Sequence, residues 1–461
     1  MQSFDVVVVG AGPAGEVAAG RLAEAGLEVA IAEEHLVGGE CAYYACMPSK
    51  ALLRPAETLA ETRRVPGAAE AVTGSLSAQA VLDRRDEIIH DLDDAAQLPW
   101  LEDRGIALLR GRARLTGERE LEVGGNRVQA RRAVIVATGS AALLPPIPGL
   151  EQSRPWTNRE ATTIKQVPRR LVILGGGVVG AELSQAWQSL GTQVTLIEGE
   201  PDLLPREEPF ARELVADALT ERGVDIRTGR RAEHVERAGD DTIRVTLSDG
   251  SEATGDELLV AIGRRPRAGE LGLDAVGLDG DSQLDTDEHL RVAGAPWLYA
   301  IGDVNGRALY THMGKYQARL ASDHILGSPS ATTHGADGGQ SPRVIFTDPQ
   351  IASVGHSTAS AKEAGLDVAV VDVKTSGNAG GSFFGRNTPG TTRVLADRGR
   401  GVLVGATFSG AEVSEMLHAA TIAIVGEVPL ERLRHAVPAF PTRSELWLEV
   451  VARLGDMTRA E

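Results

Sequence analysis

The chain has 461 residues, of which 42% are hydrophobic and 24% are charged, and its formal net charge is −17. This acidic balance disfavours nucleic acid and anionic membranes as partners, and no uninterrupted apolar run of about 18 residues predicts a membrane span. At roughly 150 residues per domain, the length allows about three domains.

The N-terminal segment is an apolar run that leads directly into a glycine pattern. The run Phe4–Val9 predicts a first β-strand. Because the segment carries Asp5 and lacks a basic region before its apolar stretch, we interpret it as the first strand of a cytoplasmic protein and not as a signal peptide.

The residues that follow have the pattern of a dinucleotide-binding unit. The turn Gly10–Gly15 precedes a helical pattern over 16–25, and a second strand over 28–32 ends at Glu33. Glycines let the backbone approach a pyrophosphate at the helix N-terminus, and an acidic residue accepts hydrogen bonds from ribose hydroxyls. A single pattern of this kind is weak evidence.

The only two cysteines of the chain, Cys41 and Cys46, come next and are separated by four residues. Two cysteines cannot form a structural disulfide framework, so we interpret them as a redox pair; the alternative is two unrelated buried thiols. In a regular helix such residues lie roughly 7.5 Å apart along the axis, so a disulfide requires a break in the helix. Pro48 is expected to open a helix, which would place Cys46 at its positive end and lower its thiol pKa.

A second unit repeats the first. Strand Leu171–Leu174, turn Gly175–Gly180 and a helix ending at Leu190 precede strand Gln193–Ile197, and Glu198 follows the turn's first glycine by the same 23 residues as Glu33 follows Gly10. Two matching units strongly indicate two dinucleotide sites; the alternative is two α/β units that bind nothing. Since no arginine follows Glu198 directly, NADH is favoured over NADPH at the second site.

Three later apolar runs end in small or acidic residues, as buried parallel strands do at a ligand-binding sheet edge. They are Ala133–Gly139, Leu258–Gly263 and Trp297–Gly302, the last followed by Asp303. Asp303 could bind the ribityl hydroxyl of a flavin or could cap the helix of the next segment.

These motifs resemble the FAD-linked pyridine nucleotide–disulfide oxidoreductases, the family of dihydrolipoamide dehydrogenase and glutathione reductase. GAGPAG, Cys-x4-Cys-x-Pro-Ser-Lys, VIVATG, GGGVVGAE, AIGRRP, YAIGDV, IFTDPQIASVG and PTRSE occur in the family's order over almost the whole chain. The resemblance implies an α/β fold with two Rossmann-like dinucleotide-binding domains, for FAD and NAD, and a C-terminal α+β dimerisation domain. The implied bounds are 1–150 for the FAD domain, 151–270 for the NAD domain, 271–338 for a return of the FAD domain and 339–461 for the interface domain.

The resemblance also assigns roles to residues. The residues implied to bind FAD are Gly10, Gly12, Pro13, Ala14, Gly15, Glu33, Glu34, Gly39, Lys50, Thr138, Gly139, Gly302 and Asp303. The residues implied to bind NADH are Gly175, Gly177, Val178, Val179, Gly180, Glu198 and Gly263. The implied catalytic residues are Cys41, Cys46, Lys50, Glu182 and Glu445. No metal site is predicted.

In the implied reaction of a homodimer, NADH reduces FAD and the flavin reduces a Cys41–Cys46 disulfide, which then passes its electrons to a small-molecule acceptor. Cys46 is implied to contact the flavin and Cys41 to exchange with the acceptor. Lys50 is implied to pair with Glu182 near the reactive nitrogen of the flavin.

The chain departs from the family pattern near its C-terminus. The disulfide-reducing members have the motif His-Pro-Thr-x-Ser-Glu, whereas Phe440 occupies the histidine position here and Glu445 remains. Since a general acid–base group is worth about 10²–10⁴ in rate, efficient exchange with a lipoamide-like substrate is not expected. His435 could substitute or be a solvated loop residue, and Tyr43 and Tyr44 could line an acceptor pocket or only pack.

Three functions follow from these observations. The first is an NADH-dependent flavoprotein that uses its dithiol on a disulfide. The alternative is a diaphorase that reduces a quinone or dye directly from the flavin and needs no histidine. The third is a redox-responsive binding protein with little turnover, which the complete set of cofactor motifs disfavours.

Overall fold

The structure is a computed structural model that describes residues 1–239, 241–280, 283–329, 331–333, 337–338, 340–385 and 388–459. The chain divides into two compact units. The first unit comprises Met1–Pro48, Arg85–Leu143 and Arg264–Gly339, and the second comprises Ser49–Arg84, Leu144–Gly263 and Gln340–Glu461. In the part of the chain that the structure describes, no helix combines the length and apolarity that crossing a bilayer requires.

The regular elements follow the predicted alternation of strands and helices. The strands are β1 (Gln2–Val9), β2 (Val29–Glu33), β3 (Ala107–Arg110), β4 (Ala113–Gly117), β5 (Glu120–Val123), β6 (Asn126–Val136), β7 (Ser140–Ala142), β8 (Arg170–Leu174), β9 (Gln193–Ile197), β10 (Asp225–Arg227), β11 (Ala232–Arg237), β12 (Ile243–Leu247), β13 (Glu252–Gly255), β14 (Glu257–Val260), β15 (Arg264–Pro266), β16 (Arg291–Val292), β17 (Ala295–Ala300), β18 (Arg343–Ile345), β19 (Gln350–Gly355), β20 (Val368–Lys374), β21 (Thr391–Asp397) and β22 (Val402–Gly410). The α-helices are α1 (Pro13–Glu24), α2 (Gly39–Tyr43), α3 (Cys46–Arg64), α4 (Ala78–Ile88), α5 (Leu98–Glu102), α6 (Asn158–Thr163), α7 (Val178–Ser189), α8 (Pro209–Glu221), α9 (Thr311–Ile325), α10 (Thr358–Glu363), α11 (Leu417–Val425), α12 (Leu430–Leu433) and α13 (Leu446–Arg459).

The first unit is built on a sheet of order β16-β17-β6-β1-β2-β3, to which β5 and β4 are added along β6. β1 pairs in parallel with both β2 and β6. Val6, Val7 and Val8 of β1 are fully buried, as expected for a central parallel strand covered on both faces. Helices α1 and α9 pack closely, and a methyl group added at Gly314 would lie 3.2 Å from the Cβ of Ala14.

The second unit contains a parallel sheet of order β10-β9-β8-β14 and an antiparallel sheet of order β11-β12-β13. Helix α7 follows β8, and its Trp187 is fully buried against Leu171 and Ile173 of that strand in the core. The strand–turn–helix–strand order of the first unit is therefore repeated here, as the sequence predicts.

The remainder of the second unit is an antiparallel sheet of order β18-β19-β22-β21-β20, with α11 and α13 contributing to its core. Every residue of β22 is buried. Together the mixed sheet of the first unit, the parallel sheet of the second, their helices and this C-terminal region confirm the predicted α/β fold class.

One predicted helix begins later than expected. The apolar spacing predicts a single helix over 411–425, but the structure has a 3₁₀ turn Val413–Met416 followed by α11. The cause is Glu412, whose φ of 48° lies in the left-handed region and cannot continue a right-handed helix.

Candidate redox and dinucleotide sites

The first glycine turn closes β1 tightly onto α1. A methyl group added at Gly15 would lie 1.9 Å from the carbonyl oxygen of Gly10, and Gly10 itself has a φ of 103°. Gly12 is the N-cap of α1 and Pro13 follows it, so no side chain of the cap residue covers the first N–H groups of the helix. These N–H groups can therefore bind a pyrophosphate.

Glu33, at the end of β2, organises this turn. Its carboxylate accepts hydrogen bonds from the backbone N–H of Ala11 and of His35, both at 2.8 Å. Gly39 approaches the turn so closely that an added methyl group would lie 2.8 Å from the Cα of Gly12. Glu34 instead pairs with Arg112 at 2.9 Å on the surface.

The ends of β6 and β17 bring the remaining predicted residues of the first unit together. Thr138 donates a hydrogen bond to the carbonyl of Arg267 at 2.7 Å, and Gly139 follows with a φ of 72°. Asp303 lies inside the 3₁₀ turn Gly302–Asn305, whose N-cap is Ile301. The capping alternative for Asp303 is therefore wrong.

The Asp303 carboxylate has two side-chain partners. One oxygen accepts a hydrogen bond of 2.6 Å from the Ser140 hydroxyl and lies 3.0 Å from the Arg264 guanidinium. An ionised carboxylate has about four acceptor positions, so it can also accept a ligand hydroxyl.

The two thiols lie on either side of a break between helices. Helix α2 ends at Tyr43 and α3 begins at Cys46, while Tyr44 between them has a φ of −132°. The chain thus departs from a helix between Cys41 and Cys46, as a disulfide between them requires. Both cysteines are free thiols in this structure.

The electrostatics differ between the two sulfurs. The Sγ of Cys46 lies 3.4 Å from the Oγ1 of Thr311. A hydrogen bond with Cys46 and, next, burial raise the pKa of Cys41, whereas Thr311 and Lys315 lower it. Two adjacent sulfurs cannot both ionise easily, so the reduced pair readily carries only one negative charge.

Tyr43 and Tyr44 pack in the interior of the first unit. Both are buried, and the Tyr44 hydroxyl is 2.8 Å from Nε2 of His35. Burial is the main cause that raises the pKa of Tyr43 to about 12. Of the two interpretations left open by the sequence, this burial supports packing.

The second glycine turn has nearly the geometry of the first. Gly175 has a φ of 105°, and a methyl group added at Gly180 would lie 1.8 Å from the Gly175 carbonyl oxygen. Gly177 is the N-cap of α7, and no described atom lies within 4 Å of a methyl group added there. Val178 and Val179 are 40% and 39% exposed although most of α7 is buried. This helix end is therefore open to a dinucleotide.

Glu198 follows β9 and organises the second turn as Glu33 organises the first. It accepts hydrogen bonds from the backbone N–H of Gly176 at 2.5 Å and of Glu200 at 2.8 Å. The structure also brings Arg231 to this loop, with its guanidinium 3.4 Å from Glu200. The sequence alone did not reveal Arg231, because parallel pairing of β10 with β9 is what carries it there.

Lys50 and Glu182, predicted as a pair, meet in the second unit. The Nζ of Lys50 is 2.6 Å from Oε2 of Glu182, and the ammonium lies over the Phe346 ring at 4.8 Å. The other oxygen of Glu182 accepts a hydrogen bond of 2.9 Å from the Phe346 N–H. Glu182 is 3% exposed, while the Lys50 side chain is 34% exposed. Gly263 has a φ of 147° and ends the second segment of the same unit, after β14.

The C-terminal motif places an apolar ring in solvent. Phe440 is 76% exposed. Glu445 lies in the 3₁₀ turn Arg443–Glu445, and among the described residues no donor reaches its buried Oε2. His435 is exposed. Among the described residues, no imidazole is therefore hydrogen-bonded to this oxygen of Glu445.

The similarity of this chain to known proteins extends over almost its whole length. Residues 4–323 match the family described as pyridine nucleotide-disulphide oxidoreductase, and residues 341–451 match the dimerisation domain of that family. Dihydrolipoyl dehydrogenase of Chlamydia muridarum is 31% identical over 97% of this chain and 96% of its own length. Dihydrolipoyl dehydrogenase of Thermus scotoductus is 33% identical over 98% of both chains.

Solved structures share the fold. The Cu(II) complex of the HOCl-induced flavoprotein disulfide reductase RclA from Escherichia coli superimposes with a TM-score of 0.86 at 24% identity. The superposition covers 98% of this chain and 100% of RclA. At that identity the likeness concerns the fold alone.

Proposed function

The chain belongs to the pyridine nucleotide-disulphide oxidoreductases, and on that premise we propose that it carries electrons from NADH, through FAD, to the Cys41–Cys46 pair and on to a small-molecule disulfide. Members of this family are FAD-dependent enzymes that use NAD(P)H, and the dimerisation domain supports a homodimer. The observation that carries the proposal is the thiol pair on either side of the break between α2 and α3.

The two glycine turns are the proposed cofactor sites. In the first unit the N-terminus of α1 binds the FAD pyrophosphate and Asp303 accepts a ribityl hydroxyl. In the second unit the N-terminus of α7 and Glu198 bind NADH. FAD supplies the hydride and electron-transfer chemistry when bound.

The dithiol step needs only the chain's two sulfurs and the acceptor. Cys41, as its thiolate, attacks one sulfur of the acceptor disulfide, so that a mixed disulfide forms and the first acceptor thiolate leaves. Cys46 then attacks the Sγ of Cys41, the Cys41–Cys46 bond closes and the second acceptor thiolate leaves. The two protons of the reduced pair end on the two released thiolates, and two electrons have moved from the pair to the acceptor.

NADH is the proposed reductant because Glu198 would repel the 2′-phosphate of NADPH. Arg231 opposes this preference, because its positively charged side chain could attract the 2′-phosphate of NADPH. That side chain is 74% exposed beside the same loop. The Glu198 carboxylate is bound to the turn itself by two backbone N–H groups, whereas the Arg231 guanidinium lies 3.4 Å from Glu200 at the edge of the loop.

A second candidate is reduction of a quinone or dye directly from the flavin. The observation that favours it is the solvent-exposed Phe440 at the position where the family pattern has histidine. Phenylalanine carries no proton, so dithiol exchange lacks the general acid–base group that would speed it by about 10²–10⁴. Electron transfer to a quinone does not require that group.

The test is an acceptor panel with the FAD-loaded enzyme and NADH. Disulfide substrates and a quinone are compared for wild type and Cys41→Ser. The proposal expects Cys41→Ser to abolish disulfide reduction and to keep most quinone reduction. Equal disulfide turnover in wild type and Cys41→Ser would overturn it.

Phe440→His, with Phe440→Leu as the matched control, separates the two candidates. We expect the histidine variant to raise disulfide turnover and the leucine variant to leave it unchanged. If wild type already reduces lipoamide and Phe440→His does so no faster, the inference that Phe440 slows dithiol exchange is contradicted.

A further inference from the structure

The first turn of α9 lies against the thiol pair. Thr311 is the first residue of this helix, and its hydroxyl is 3.4 Å from the Sγ of Cys46. Lys315 is four residues further along α9, so it lies on the same face one turn away. Its side chain is exposed at this position.

The residue type at this position is unusual for the chain. Only Lys50, Lys165, Lys315, Lys362 and Lys374 are lysines among the 47 basic residues. Arginine forms a planar fork that engages carboxylates, whereas a lysine ammonium is a compact charge that acts without a fixed partner. In the first unit, Arg21, Arg110 and Arg264 illustrate the paired use, each with an aspartate.

Helix α9 contacts the thiol pair through Thr311 and packs on Ala14 of α1 through Gly314, the neighbour of Lys315, so the Lys315 charge lies near groups on both sides. The Lys315 ammonium lowers the pKa of Cys41 and also that of Glu16, in the first part of α1. Burial is the main cause that raises the pKa of Glu16 to about 7, and Glu33 raises it further. Glu16 is therefore a carboxylate that gains its charge near neutral pH beside this lysine.

The other charged groups named near Cys41 do not lower the pKa of its thiol as Lys315 does. Glu40, its neighbour in α2, lies 3.5 Å from the Arg267 guanidinium, so its charge is partly offset. Cys46 raises the pKa of Cys41. Apart from Lys315, only the neutral Thr311 hydroxyl lowers it among the named neighbours of Cys41.

We propose that Lys315 is a positioning residue that favours the thiolate of Cys41 in the reduced pair, and that Glu16 opposes it by attracting the same ammonium. The inference deepens the proposed function and rests on it, because it concerns the reduced dithiol. The proton of Cys41 passes to solvent, no electron moves in this step, and the ammonium keeps its charge. Lys315 thus favours, from within the same chain, the ionised form of Cys41, whereas Phe440 cannot accept the proton of that thiol.

The test measures thiol ionisation directly. FAD-loaded protein is reduced with NADH under anaerobic conditions and alkylated with iodoacetamide between pH 6 and 10, and the Cys41 peptide is quantified by mass spectrometry. The chain has only two cysteines, so no background thiol needs removal. Lys315→Met is compared with Lys315→Arg and with Lys362→Met, a control that removes an exposed lysine of α10.

We expect Lys315→Met to slow alkylation of Cys41 at pH 8 about threefold and to shift its profile to higher pH, because an exposed charge is partly screened. Lys315→Arg keeps the wild-type profile of alkylation against pH. In 1 M NaCl the difference in alkylation rate between Lys315→Met and wild type becomes smaller. Glu16→Gln speeds alkylation at pH 8 but not at pH 6, where Glu16 is already neutral.

An unchanged profile in Lys315→Met, or slower alkylation in Glu16→Gln at pH 8, would overturn the inference. Flavin absorbance and circular dichroism identify a variant that fails to fold, and Lys315→Arg then provides the comparison with wild type at low and high salt. Failure of the proposed function has a different signature, because NADH would then fail to bleach the flavin. In that case dithiothreitol reduces the pair and the same profiles still decide the role of Lys315.

Discussion

Replacing Lys50 by methionine is expected to destabilise the second unit through Glu182. The substitution keeps an unbranched apolar stem over Phe346 and removes only the ammonium. Glu182 then keeps one hydrogen bond, from the Phe346 N–H, but its other oxygen loses the partner at 2.6 Å. A nearly fully buried carboxylate is left with an uncompensated charge.

The exposure of Lys50 and of Glu182 determines how much unfolding free energy the substitution costs. Removing one partner of a buried ion pair costs about 3–5 kcal/mol. Because the Lys50 side chain is 34% exposed, water can take up part of the role of the ammonium, so we expect a cost of about 1–3 kcal/mol in the free energy of unfolding. Glu182→Gln in the same chain removes the unpaired charge and keeps the acceptor for Phe346, so the double variant recovers part of this loss.

The assay is urea unfolding at fixed protein and FAD concentrations, since bound ligand stabilises by mass action. Wild type, Lys50→Met, Glu182→Gln and the double variant form a cycle, and Lys374→Met is the surface control. We expect a coupling energy of about 1–2 kcal/mol. Additive effects of the two single variants, or a Lys50→Met protein as stable as wild type, would refute the reasoning.

Three other predictions concern single positions. Gly180→Ala places a methyl group 1.8 Å from the Gly175 carbonyl oxygen and is expected to lower the free energy of unfolding by roughly 3 kcal/mol or more. Gly177→Ala, where the added methyl group has free space, should keep the melting temperature and raise the KM for NADH about tenfold. Equal melting temperatures for the two variants would contradict this. Glu198→Ala should lower the ratio of kcat/KM for NADH to that for NADPH, measured by steady-state kinetics, and an unchanged ratio would remove the reason for preferring NADH. For Glu16, the pKa is raised from 4.5 to about 7, so the stability of its neutral form is present below about pH 4.5 and lost as pH rises through 7. Glu16→Gln should therefore increase the free energy of unfolding at pH 8 by about 1–3 kcal/mol and leave it nearly unchanged at pH 5, and a gain of equal size at both pH values would contradict the assigned cause.

The local elements could be predicted from the sequence because their signals are local. The predicted strand 193–197 has the bounds of β9, and the predicted break between the two cysteines is present at Tyr44. Helix α1 begins at Pro13, three residues before the predicted start, because Pro13, Ala14 and Gly15 are small or helix-starting residues without apolar periodicity. The helix predicted over 411–425 begins later for another local reason, the left-handed backbone at Glu412.

The surroundings of the sites could not be predicted in the same way. Arg231, Thr311 and Lys315 are distant in sequence from the groups that they affect, and strand pairing or helix packing brings them there. Lys50 and Glu182 could be paired only because a family resemblance linked them. Single-sequence patterns report periodicity and turns, whereas side-chain neighbours across a fold depend on register and packing that no local pattern contains.

The near identity of the two glycine turns limits what they can discriminate. Gly10 and Gly175 differ by 2° in φ, and the added methyl groups at Gly15 and Gly180 meet the preceding carbonyl at 1.9 and 1.8 Å. Both cofactors present the same adenosine diphosphate half to such a turn, so the choice between flavin and nicotinamide must be made elsewhere. We expect the residues around Asp303 in one unit and Val178 and Val179 in the other to contribute to that choice, so exchanging the turns between units should leave each unit's choice of cofactor intact.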